Sequence, residues 1–585
     1  MSRFARPLNS LALVVVAAAI SVGCRSLQLC SAHLPVQGYA PPQASHANAA
    51  AALASGDALC AAGKDECVDE YYCACLLSSS ASCAQSSPSL APSIAVYNDA
   101  LAKLIGAAVR FGRIESGRGI LVRQGNASFS VPVTLHGFPW RSSDFQCFWP
   151  PPKGHEKLLT RRYECSGIGC PLVVGRCRND ANEIESRFFP DKSFFAATAL
   201  LRFPSVKDDE YLDLSNGQAA VLEFYNPLLL SHYEDEANGS QPLAKNLTAS
   251  LAVTLENAPR TYFAGFVEPG GAETKARLQF LEPYQPGKVP VVLIHGLFSD
   301  PLGWADLIND LRAAPGFAER FQIWVFRYPT GQGFLQSAAS LRTELRAAIN
   351  ALDPSEADNA LKQMVLVGHS MGGLIAKLQV AYSEELIWSR LANRPLEEII
   401  TTPSTRAFLM DVCYFNPSPN VRRVIFIASP HCGSTRSGSV VGRGASLLVQ
   451  PAPQQTAIHE QLVRDNPSTF NPQIERRFPT SIDMLSPDSP LLDAMHQMRL
   501  STGMALHNII AVSHPISLDG PSDGVVSVHS ASHPNCKSVL AINAPHAKAH
   551  RSLQASYEIL RILACQTTET LSVRHVLLSR EQSTD

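Results

Sequence analysis

Met364-Val365-Leu366-Val367-Gly368-His369-Ser370-Met371-Gly372-Gly373-Leu374-Ile375-Ala376 joins an apolar run to a helix-like run across a glycine-flanked serine. The first run has the composition of a buried strand and ends at Gly368. The second starts just after Ser370. A strand that turns sharply into a helix needs glycines, because side chains on either flank would clash. Such a turn holds the serine backbone in a strained conformation and lifts its hydroxyl above the sheet. The helix N-terminus behind it favours nearby negative charge. Gly-x-Ser-x-Gly alone is a weak signal. Flanked by a strand and a helix, it points to a nucleophilic serine, Ser370.

Nucleophilic serine chemistry requires partners in a set order. Upstream, Val289-Pro290-Val291-Val292-Leu293-Ile294 reads as a strand, followed by His295-Gly296-Leu297. Acyl transfer passes through an oxyanion that needs fixed backbone N–H donors. Leu297 and Met371 are the candidate donors. Downstream, the strand His507 to Val512 leads to a loop carrying Asp523, and the strand Ser538 to Ile542 leads to a loop carrying His546. A base takes the serine proton, and a carboxylate orients the imidazole. Asp523 is the expected acid, with Asp519, Asp488 and Asp493 as competitors. His546 is the expected base over His550, since it sits nearer the strand end.

Residues 286–566 resemble bacterial α/β-hydrolase lipases and esterases, including GPI inositol-deacylase-like hydrolases and triacylglycerol lipases. The resemblance rests on Ile294-His295-Gly296, Gly368 to Gly373, Ile427-Ala428-Ser429-Pro430-His431-Cys432-Gly433-Ser434, and Ser522-Asp523-Gly524-Val525-Val526. Ser429 departs from the threonine more common in relatives. Two upstream segments, Gly167 to Val173 and Pro242 to Ala249, look like stretches that precede the hydrolase domain in some exported members. The resemblance implies an α/β-hydrolase fold, a Ser-His-Asp triad, an ester or lipid substrate and no cofactor.

The remaining chain organises around that domain. Residues 1–24 have the layout of a secretory signal: Arg3 and Arg6, then Leu11 to Ile20, then small residues up to Cys24. The apolar run falls short of the roughly 20 residues a membrane span needs. Ile20-Ser21-Val22-Gly23-Cys24 resembles a bacterial lipoprotein signal, in which an acylated Cys24 would tether the protein to a membrane; ordinary cleavage nearby is the alternative. The reading is an exported protein of the cell envelope, lipid-anchored, periplasmic or secreted. Fifteen cysteines in 585 residues, clustered at Cys60 to Cys83 and Cys147 to Cys177, suit an oxidising compartment. Their spacing does not match paired zinc ligands, so disulfides are expected instead of a metal.

Residues 25–90 read as a Cys-rich tether and 91–285 as a mostly β accessory domain. Its strands are expected at Ser128 to Leu135, Phe194 to Phe203, Ala219 to Phe224 and Leu247 to Leu255, after a helix at Val96 to Phe111. Pro286-Gly287 marks the boundary, and 567–585 is a C-terminal tail. Two insertions, 383–420 and 434–485, read equally as mobile apolar covers or as helical elaboration. A net charge of −2 with scattered Lys and Arg gives no reason to expect nucleic acid. An amidase, peptidase, thioesterase or acyltransferase on the same scaffold is the rival reading. A non-catalytic binding protein is a further one, though every triad position is filled.

Overall fold

The computed structural model describes residues 46–83, 90–115, 119–124, 127–151, 154, 158–203, 220–235, 239–257, 275–434, 453–476, 480–515 and 520–566. The signal segment with Cys24, Asp519, the apolar run 445–449 and the tail 567–585 lie outside these residues.

Seven strands form the C-terminal sheet: β1 (Arg277–Phe280), β2 (Val289–Ile294), β3 (Phe321–Arg327), β4 (Met364–His369), β5 (Val421–Ile427), β6 (Ala505–Ala511) and β7 (Ser538–Ile542). Their order is β1-β3-β2-β4-β5-β6-β7. Only β1 runs antiparallel to its neighbour; the rest pair in parallel. Parallel strands covered on both faces are apolar throughout, because successive side chains bury on opposite sides. Val292 and Ile294 accordingly join one buried cluster with Leu366, Phe334 and Phe426. Val291 and Leu293 join another with Val365, Val367, Trp304 and Ile559. Helices α1 (Ala305–Ala313), α2 (Phe334–Leu352) and α3 (Met371–Lys377) connect successive strands. The strand ends level out at Ile294, Phe326 and Gly368, which gather the following loops along one edge.

The N-terminal half is built on a second sheet. Its order is Val133–His136, Val221–Tyr225, Lys192–Arg202, Cys170–Cys177 and Cys147–Trp149. Helices His46–Ala61, Cys67–Cys83 and Leu90–Arg110 pack over it, so that Tyr72, Leu101 and Leu104 share a core with Leu172, Leu222 and Phe224.

Three expectations are corrected. The part of the expected tether that is described, 46–83, is two helices with buried Tyr71, Tyr72 and Leu77. Leu247 to Leu255, expected as a strand, is the helix Leu247–Asn257. Its Thr and Val content suggested a strand, but burial of Thr248 through Val253 on both halves of the molecule decides the conformation. The C-terminal sheet begins at Arg277, upstream of Pro286-Gly287, because β1 pairs with β3. The strands at 192–202 and 221–225 and the helix through Val96 to Arg110 are where the pattern put them. Among the described residues Cys60, Cys67, Cys73, Cys75, Cys147, Cys165, Cys170, Cys177, Cys413, Cys432, Cys536 and Cys565 carry no disulfide bond, and Cys24, Cys30 and the side chain of Cys83 lie outside them.

Candidate active site

Ser370 sits between β4 and α3 with φ 54° and ψ −126°, a conformation that costs a non-glycine residue about 1–3 kcal/mol. The surrounding fold holds it there: its amide donates to the Ile427 carbonyl at 2.9 Å, and the Gly373 amide donates back to its carbonyl at 2.9 Å. The side chain is nearly covered, with the residue 7% exposed. Its hydroxyl lies 2.9 Å from His546 Nε2. His546 Nδ1 lies 2.7 Å from Asp523 Oδ2. The second carboxylate oxygen of Asp523 accepts from the Val525 and Val526 amides at 2.9 and 2.7 Å. The buried carboxylate is therefore satisfied on both oxygens. An acceptor on Nδ1 keeps a proton there and leaves Nε2 as the lone-pair nitrogen facing the serine.

The oxyanion side follows from close packing. A side-chain carbon on Gly296 would stand 2.9 Å from Ser370 Cβ, so only glycine lets this loop lie against the serine. The Met371 amide opens α3 and has no intrahelical acceptor. The Leu297 amide likewise has no acceptor among the described residues. Tyr328 fixes the loop from below by donating its hydroxyl to the His295 carbonyl at 2.6 Å and stacking on the His295 ring.

The five residues expected from the sequence thus meet at one edge of the sheet. The described competitors do not. Asp493 pairs with Arg390 at 2.7 Å, and Asp488 is exposed. His550 is buried 4.2 Å from the His369 ring and 5.1 Å from the Trp304 ring, centroid to centroid.

His369 was not singled out by the sequence, yet it touches His546. Its Nε2 donates to the His546 carbonyl at 3.0 Å. Its position as the variable residue of Gly-x-Ser-x-Gly gave no signal of that contact. Burial first, then the neighbouring His550 and His546, hold its imidazole well below the usual range. Burial also pushes His295 and His550 down to about 4. Neutral imidazoles therefore surround Ser370 and His546 at neutral pH. Among the described residues no group of His, Cys, Asp and Glu is arranged to hold a metal ion.

Residues 291–528 match the alpha/beta hydrolase family, a stretch that holds Leu297, Ser370, Met371 and Asp523 and stops short of His546. With the sheet order and the strand–serine–helix turn, this makes the C-terminal part an α/β-hydrolase domain. No curated protein matches the chain. Among solved structures, it is similar to the mature lipase BlEst2 of Bacillus licheniformis at 15% identity, over 48% of this chain and 93% of that one, with a TM-score of 0.28. It is similar to a carboxylesterase structure from Nitrososphaera gargenis at 12% identity, over 51% and 98%, with a TM-score of 0.28. A third is esterase B of Lactobacillus rhamnosis, inhibited by a tributyrin phosphonate, at 12% identity over 51% and 83%, again with a TM-score of 0.28.

Proposed function

We propose that this protein is an exported serine hydrolase that cleaves carboxylic esters through an acyl-enzyme. The observation that carries the reading is the continuous hydrogen-bonded line from Asp523 through His546 to Ser370. In the reaction, Ser370 Oγ attacks the ester carbonyl carbon while His546 Nε2 takes the hydroxyl proton. The Leu297 and Met371 amides receive the oxyanion. Collapse breaks the bond to the alcohol, which leaves with the proton from His546. Water then repeats the sequence on the acyl-enzyme and restores the serine.

A cavity of about 440 Å³ supports an acyl substrate over a small polar one. It lies between the two insertions, lined by Trp388, Phe408, Leu409, Leu462, Phe470 and Met484, and borders Gly333 and Leu335 at the start of α2. That start follows β3 at the same sheet edge as Ser370.

Fluorophosphonate labelling, followed by a p-nitrophenyl ester series of rising acyl length, tests the reading. Wild type should label, and Ser370→Ala should neither label nor hydrolyse, with kcat down on the order of 10⁴ to 10⁶. A Ser370→Ala variant that keeps a tenth of the activity would remove the assignment. An amide or thioester series run in parallel identifies the leaving group. Export rests on the signal-like residues 1–24, and attachment through Cys24 on the small residues before it. Among the described residues no helix is long and apolar enough to cross a membrane. Cell fractionation of wild type and Cys24→Ser separates a lipid-anchored form from a released one.

A further inference from the structure

Residues 546–551 form a short 3-10 helix whose first member is His546. Its two ends are fastened by different parts of the chain. At the first end, the His546 amide donates to the Asp523 carbonyl at 3.0 Å, and its carbonyl accepts from His369. At the last end, Arg551 Nε donates to Asp306 Oδ2 at 2.6 Å. The Arg551 carbonyl accepts from Arg161 Nη2 at 3.2 Å. Arg161 comes from the N-terminal half.

Arg161 is itself held firmly. Its Nε meets Asp310 Oδ1 at 2.6 Å, and its Nη2 meets the other carboxylate oxygen. Tyr163 donates to the same carboxylate at 2.8 Å, and Ser556 also donates to it. One residue earlier, the Thr160 amide and hydroxyl both donate to Asp306 Oδ1 at 2.8 Å. Leu159 is buried in the cluster that contains Trp304, Ala549 and Ala555. Both aspartates are on α1, and both are almost fully buried. Segment 159–163 is thus bound to both carboxylates, the 546–551 segment to that of Asp306 through Arg551, and Ser556 just beyond it to that of Asp310.

We propose that Arg161 is a positioning residue for His546, so that the N-terminal half sets the base against the serine. The inference rests on the reading of His546 as the base. Arg551 ends the same short 3-10 segment that His546 begins, so a displacement of Arg551 is passed on to His546. The 2.9 Å contact with Ser370 tolerates little displacement, since misplacement of about 1 Å by a distant change costs up to 10²-fold in rate. A planar guanidinium forks Asp310 and reaches a carbonyl at once; an ammonium does not.

The test uses the full chain with Arg161→Ala and Arg161→Lys. The expected result for Arg161→Ala is a kcat about tenfold lower with KM within about twofold. Arg161→Lys should recover part of the loss. The downfield proton resonance of the His546–Asp523 hydrogen bond should move in both, which a purely structural clamp would not require. If Arg161→Ala does not fold, Arg161→Lys decides by the same two readouts. A folded variant with wild-type kcat and an unmoved resonance overturns the proposal. Wild type lacking hydrolysis, with a resonance that still moves in the variants, would instead sink the triad reading and keep the clamp.

Discussion

His546 and His550 are four residues apart, yet they meet different worlds. His546 lies between Ser370 and Asp523, while His550 packs against Trp304 and His369. His546→Ala should therefore lose ester hydrolysis by the factor expected for a triad member, on the order of 10⁴. His550→Ala should keep activity within about tenfold and lower the urea midpoint, because it leaves a cavity beside a buried tryptophan. A dead, well-folded His550→Ala would reverse these roles. Lys377 gives a second residue-level expectation. Burial pushes its pKa down to about 8, against a smaller opposite push from Cys432 and Cys536. The unfolded chain then holds the proton more tightly, so the buried ammonium costs stability at neutral pH, an effect that fades between about 8 and 10.5. Lys377→Met should raise stability at pH 7 by up to about 3 kcal/mol. The gain should disappear above pH 10.5 in urea titrations; a gain that does not change with pH would mean packing, rather than charge, is responsible.

The strand–turn–helix element around Ser370 depends on how closely α3 approaches β2. A side-chain carbon on Gly372 would fall 2.1 Å from the Ile294 carbonyl oxygen and 2.6 Å from that of His295. Helix propensity alone favours alanine over glycine by about 1 kcal/mol. Contact with rigid backbone outweighs it, since neither carbonyl can swing aside. Gly372→Ala should therefore lower the urea midpoint and slow fluorophosphonate labelling, because the methyl pushes α3 away from the loop that carries Leu297. A more stable, normally labelling variant would show that propensity wins. This element was readable in the sequence because its causes are local: an apolar run, then glycines where the backbone crowds. β2, β6 and β7 were readable for the same reason, and with them Asp523 and His546 at their ends. The helices 46–61 and 67–83 were not. Their Ala, Ser, Cys and Tyr residues show no one-sided stripe, and the surface they bury is supplied by a sheet far along the chain. Arg161 was hidden for a similar reason, since its carboxylate partner lies 149 positions away.

At the scale of the molecule, the two halves share interiors instead of meeting at a linker. Phe188 and Phe189 of the N-terminal half lie in the core around Phe280 and Trp324. Leu251 and Ala252 lie in the core behind β2 and β4. Both halves therefore respond together when that interior is stressed, and acid is the stress to which it is built to respond. Six buried histidines are held below their ordinary range, mainly by burial. His295, His507 and His550 are pushed to about 4, His533 to about 3, and His369 and His431 lie well below 6.5. Between about pH 4 and 6.5 the folded chain consequently binds fewer protons than the unfolded one. Stability is fully present above 6.5 and is lost as pH falls through that window, at roughly 1.4 kcal/mol per pH unit for each histidine involved. The lowered aspartates, Asp306 among them, add their loss only nearer pH 4 and below. Urea midpoints measured from pH 8 to 4.5 should be nearly flat above 7 and drop steeply below 6.5. His550→Gln should reduce that slope by about one proton's worth, since glutamine fills similar space without titrating. A midpoint that stays level down to pH 5, or a His550→Gln slope equal to wild type, would show that these imidazoles charge in the folded state without cost.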